Sequence, residues 1–134
     1  MRKKISKKCL GISALVVAAF ALIVFYFASI FQTCHPEKIT FNMNEIDENG
    51  LIGPPDGKVA VDYEFCIPYD NAHLQEIKEI DPDIGCDYGP TGRIGCTNNE
   101  YLCIGNTHQK DFRSILCKLS TLGYVERIDR TFWE

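Results

Sequence analysis

Catalytic templates are absent. The chain holds no G-x-S-x-G, no H-E-x-x-H and no glycine-rich phosphate loop before Lys-Ser/Thr. The common serine-hydrolase, zinc-protease and P-loop chemistries are thereby excluded. No C-x-x-C occurs either, which argues against a thioredoxin-type dithiol centre. The spacing C-x9-C-x6-C-x13-C from Cys86 to Cys117 lacks the paired knuckle of a structural zinc site. Asp81, Asp83 and Asp87 with Gly85 approach a calcium loop, but the glycine comes one position early and Gly92 stands where the closing glutamate belongs. No metal or cofactor is implied, and no internal repeat or low-complexity tract is present.

Acidic residues are absent from the start of the chain. Arg2, Lys3, Lys4, Lys7 and Lys8 give +5 before residue 10. From Cys34 onward 18 acids face 9 bases, giving −9 and the overall −4. A domain of that charge does not suit nucleic acid, because phosphate binding needs a basic surface.

Between these regions charge and proline are missing altogether. Leu10–Phe31 is apolar except for Ser13, Tyr26 and Ser29. At 1.5 Å per residue its 22 residues make a helix of roughly 33 Å, enough to cross a hydrocarbon core of about 30 Å. The sequence predicts a single-pass signal-anchor here, with the basic tail cytoplasmic by the positive-inside tendency. Two alternatives stand beside it. A cleaved signal peptide needs a shorter core and a small-x-small exit, which Ala28–Cys34 does not offer. A lipoprotein would carry lipid on Cys34, but Phe31-Gln32-Thr33 is a poor lipobox. Each of these places the C-terminal part outside the cytoplasm.

The expected plan is a cytoplasmic tail at 1–9, a transmembrane helix at 10–31, a linker or stalk at 32–57 and an extracytoplasmic α+β domain at 58–134. Turn signals at Asn49-Gly50 and Gly53-Pro54-Pro55-Asp56-Gly57 support the stalk. In the domain, Val59–Ile67 alternates with period 2 and reads as a half-buried strand. Asp70 or Asn71 caps a helix carrying Leu74, Ile77 and Ile80, which Pro82 ends. Short strands follow over Arg93–Thr97 and Tyr101–Gly105. Phe112, Ile115, Leu116, Leu119 and Leu122 form an amphipathic stripe, and a last strand returns over Tyr124–Arg130. The order βαββαβ is that of a ferredoxin-like domain, an antiparallel sheet with two helices on one face and the first and third strands adjacent.

Six cysteines lie beyond the apolar segment, an even number that suggests disulfides outside the cytoplasm. If Leu102 and Ile104 face the helices, Cys66 and Cys103 share the open sheet face and can pair. Cys86 and Cys96 then clip the glycine-rich loop between them. Cys117 points about 160° from the apolar stripe at 100° per residue, which leaves it for Cys34 or another chain. Asn106, Thr107 and His108, at the expected junction of strand and helix, form a candidate polar site where free N–H groups would hold an anion. His73 reads as a boundary histidine, and His35 as incidental.

The leading expectation is a membrane-anchored interaction domain, an accessory subunit or adaptor. It would meet a protein partner through an open sheet face carrying Asp62, Glu64, Cys66, Tyr101 and Cys103. One alternative is a thiol- or metal-dependent enzyme using the cysteines, such as Cys103, with His108. Another is a protease-inhibitory or pro-domain-like module using Phe132-Trp133-Glu134.

Overall fold

A computed structural model describes residues 16–24 and 33–132 of the chain. Two compact units divide at Thr33/Cys34. In the first, helix α1 is described over 16–24. Val16, Val17, Phe20, Leu22, Ile23 and Val24 are all more than half exposed on it. Among the described residues no helix is long and apolar enough to cross a membrane. The rest of the expected span, 10–15 and 25–31, lies outside the described residues, as do the tail at 1–9 and Trp133-Glu134.

The second unit is a small α+β domain with antiparallel sheets. Its elements are β1 (Leu51–Ile52), β2 (Val59–Ala60), β3 (Asp62–Pro68), α2 (Asn71–Ile80), β4 (Gly85–Tyr88), β5 (Glu100–Asn106), α3 (Phe112–Thr121) and β6 (Asp129–Arg130). β1 and β2 form a hairpin, and the main sheet has the order β4-β5-β3-β6. Every pairing between these strands is antiparallel.

The helices form where the local chemistry favours them. Asp70 caps α2, its carboxylate accepting the His73 N–H at 3.0 Å. Residue 81, before Pro82, is extended and ends the helix. On α3 the buried residues Phe112, Leu116 and Leu119 are three and four apart. They pack against Tyr63, Phe65 and Ile67, which alternate along one face of β3 and are 0% exposed.

Four expectations need correction. The strand expected at Arg93–Thr97 is a turn, and the sheet's edge strand is Gly85–Tyr88 instead. Gly92 and Gly95 have φ of 62° and 86°, left-handed values that a strand does not accommodate. The strand expected over Tyr124–Arg130 shortens to Asp129–Arg130; Ile128 makes an isolated parallel bridge to Ile39.

The third correction concerns residues 34–57, which belong to the domain rather than to a stalk. Ile46 is 2% exposed, and Ile39, Phe41 and Met43 pack on the core. This strap is bolted to α3. Lys38 Nζ donates to the Leu122 and Val125 carbonyls at 2.9 and 2.7 Å, as a cation should near a helix C-terminus. The Arg113 guanidinium donates to the Met43 and Ile46 carbonyls at 3.0 and 2.5 Å.

The fourth is the facing of β5. Directly opposed residues share a face, and the register sets Tyr63 against Gly105, Phe65 against Cys103 and Ile67 against Tyr101. Tyr101 and Cys103 therefore lie on the helix side, while Leu102 and Ile104 share the other face with Cys66 and Glu64. Gly105 is needed where it stands, because a Cβ there would overlap the Tyr63 ring.

Candidate functional site

The facing of β5 decides the disulfides. The bonds are Cys66–Cys96 and Cys86–Cys103, with Cα separations of 5.5 and 4.0 Å. The expected pairs Cys66–Cys103 and Cys86–Cys96 do not form, because Cys66 and Cys103 point to opposite faces. Cys86 lies directly across the ladder from Cys103. Cys34 and Cys117 are unbonded thiols.

The sheet face expected to be open is covered. Residues 89–99 lie over it, tied down by Cys96. Gly92 sits so close to Leu102 and the Glu64 carboxylate that a Cβ would collide with both. Glu64 is 2% exposed and accepts the Ile94 N–H at 2.8 Å. The Arg127 guanidinium donates to the Ile94 carbonyl at 3.1 Å. Of the residues expected to receive a partner there, Glu64 and Cys66 are under this loop, and Tyr101 and Cys103 are on the other face.

The candidate polar site also changes character. α3 starts at Phe112, so Asn106, Thr107 and His108 precede the helix rather than forming its N-terminus. Thr107 is 0% exposed and structural: its hydroxyl donates to the Gly50 carbonyl at 2.6 Å and accepts the Val61 N–H at 2.9 Å. Asn106 turns the chain, its side-chain oxygen accepting the His108 N–H at 2.7 Å, and its amide donates to Asp62. Asn106 and His108 do line a cleft of about 210 Å³, shared with Asp62, Asp81, Asp83 and Gln109. Three aspartates line this cleft, and their charge disfavours the expected anion. Asp81, 1% exposed, accepts from Gln109 Nε2 at 3.1 Å and from the Asp83 N–H at 3.2 Å. Among the described residues, no group of three or more His, Cys, Asp or Glu is placed to hold a metal ion.

The thiol alternative loses its named pair, since Cys103 is 0% exposed and bonded to Cys86. His73 packs edge-on against Tyr124, with ring centroids 4.2 Å apart, and its ring nitrogen meets Asp70. The His73 backbone N–H, then its side chain, holds the Asp70 carboxyl below its usual range. His35 pairs with Glu37 at 2.7 Å.

A tyrosine cluster, at the opposite end of the sheet from the cleft, was not legible beforehand. Tyr69 follows β3, Tyr88 ends β4 and Tyr101 lies near the start of β5. The Tyr69 ring centroid is 4.1 Å from that of Tyr88 and 4.7 Å from that of Tyr101. Tyr69 is 51% and Tyr88 55% exposed. Partial desolvation, then the neighbouring Tyr69 and Asp70, raises the Tyr101 hydroxyl above its usual range. The three rings come from separate segments and meet only through the β4–β5–β3 register. The only prior signal was the recurrence of tyrosine at the ends of apolar runs.

No protein-family model, curated protein or solved structure matches the chain.

Proposed function

We propose that this is a membrane-anchored binding protein whose acidic domain, of ferredoxin-like arrangement, engages a cationic segment of a protein partner outside the cytoplasm. The tyrosine cluster carries this reading. Tyrosines supply broad, stiff, amphipathic contact area and are enriched at interfaces. Their ring faces attract guanidinium and ammonium groups. Two rings more than half exposed, beside Asp70, fit a basic segment, and the −9 charge from Cys34 onward favours its approach.

The membrane address rests on Leu10–Phe31, its +5 flank and the exposed apolar side chains of 16–24, which water would not solvate cheaply. The two disulfides agree with an oxidising compartment. The order β4-β5-β3-β6, with α2 between β3 and β4 and α3 between β5 and β6, supports the ferredoxin-like arrangement. Fold alone would not argue for function.

The test uses the full chain in zwitterionic lipid nanodiscs, titrated with a hexa-arginine peptide and read by NMR. Shifts should centre on Tyr69, Tyr88 and Tyr101, weaken with salt, and fall at least tenfold in affinity in the Tyr69→Ser, Tyr88→Ser double variant. Unchanged affinity in that variant, or shifts centred on Asp81 and Asp83, would overturn the reading.

A further inference from the structure

Two thiols outside the closed disulfides are brought together across a long stretch of chain. Cys34 opens the domain, and Cys117 lies on α3. The Cys34 Sγ is 3.6 Å from the Ser120 Oγ, which also accepts the His35 N–H at 3.0 Å. The Ser120 hydroxyl donates to the Cys117 carbonyl at 2.6 Å. Residues 117 and 120 are neighbours on one helix face, so this network brings the Cys34 thiol alongside the turn of α3 that carries Cys117. The approach is not left to Cys34 alone, because Lys38 and Arg113 clamp the strap to α3 on either side.

We propose that Cys34 and Cys117 form a third, closable cysteine pair, a thiol latch that fixes the first residue of the domain to α3. The co-reactant is a disulfide donor, either oxidised glutathione or the disulfide of a thiol oxidoreductase. The Cys34 thiolate attacks one donor sulfur, forming a mixed disulfide and releasing the first donor thiolate. The Cys117 thiolate then attacks the Cys34 Sγ, forming the Cys34–Cys117 bond and releasing the second. Two electrons pass to the donor, and the two cysteine protons are taken up by its thiolates. Cys34 acts first because it is exposed. Burial, then the Cys34 thiol, pushes Cys117 up to about 11. Closure should therefore accelerate as pH rises from 7 to 9, since the thiolate is the nucleophile.

The test takes the full-length chain, purified in detergent with its two disulfides intact, and treats it with oxidised glutathione. Alkylation, intact mass and peptide mapping then read the product. The expected result is a Cys34–Cys117 linked peptide, with neither thiol left to alkylate and no glutathione retained on either. The Cys117→Ser variant should instead stop at the mixed disulfide, with one glutathione on Cys34. The Cys34→Ser, Cys117→Ser double variant should take up glutathione on no residue other than Cys9, which separates closure from reshuffling of the four disulfide-bonded cysteines. Stable glutathionylation of both thiols in the unaltered chain would overturn the latch. So would a Cys34–Cys34 dimer as the main product, or lipid on Cys34.

Discussion

The double substitution Cys66→Ala, Cys96→Ala removes the bond that holds residues 89–99 against the sheet. The bond spans a sequence separation of 30. Chain-entropy arithmetic for a loop of that length gives about 3.7 kcal/mol of stabilisation, by restriction of the unfolded chain. A domain near this size has roughly 5–15 kcal/mol in all, so the loss is a large share. With a urea slope of about 1.5 kcal/mol/M, the unfolding midpoint should fall by about 2.5 M. A second readout is local. The Ile94 N–H is bonded to the buried Glu64 carboxylate, so its hydrogen exchange should speed up under native conditions once the cover is loosened. Cys34 and Cys117 are alkylated beforehand in both proteins so that no new disulfide intervenes. A midpoint shift below about 0.5 M, with Ile94 protection unchanged, would refute the reasoning. Residues 89–99 would then be held by the Glu64 and Arg127 contacts, and the bond would be incidental.

Two further predictions concern the sheet and α2. Gly105→Ala should destabilise by about 1–3 kcal/mol through overpacking against the Tyr63 ring, and Tyr63→Leu in the same chain should recover much of that. Equal losses in the single and double variants, in urea melts, would contradict the pairing. Asp70→Ala should lower the melting temperature at neutral pH by removing the α2 cap. Its folded carboxyl is held below the ordinary value of 3.8, so this contribution is present above that pH and is lost as pH falls through the depressed value. The gap between variant and unaltered chain should close in acid, and a gap that widens there would reverse the sign of the argument.

What was legible in the chain was whatever had contrast. α2 and α3 showed because a capping aspartate or a stripe of apolar residues stands out against polar neighbours. β3 showed because one of its faces carries Tyr63, Phe65 and Ile67 while Asp62 and Glu64 lie on the other. β5 has no such contrast. Tyr101, Cys103 and Gly105 alternate with Leu102 and Ile104, so both faces look apolar, and the inward one contains a glycine whose space is filled by Tyr63 from the next strand. A single reversal of face turns every side chain over, and the expected disulfide pairs inverted with it. The strap was missed for a related reason. Its apolar residues Ile39, Phe41 and Met43 alternate as a short strand would, but they stand among turn signals, and the segment makes two 3₁₀ turns and the single Ile39 bridge instead.

The missed strand β4 explains the missed surface. Gly85–Tyr88 has no apolar alternation, while Arg93–Thr97 looks more strand-like until the left-handed glycines on either side of Ile94 are seen. With the strand placed at 93–97, Cys86 and Tyr88 belong to a loop, Cys86 pairs with Cys96, and Tyr88 has no assigned neighbour. With it placed at 85–88, the ladder sets Cys86 opposite Cys103 and Tyr88 opposite Tyr101. The same register that closes the disulfide thus builds the tyrosine cluster, and the bond stiffens the edge strand that carries Tyr88. If the cluster is the binding surface, reducing Cys86–Cys103 should weaken hexa-arginine binding even in a chain whose tyrosines are intact.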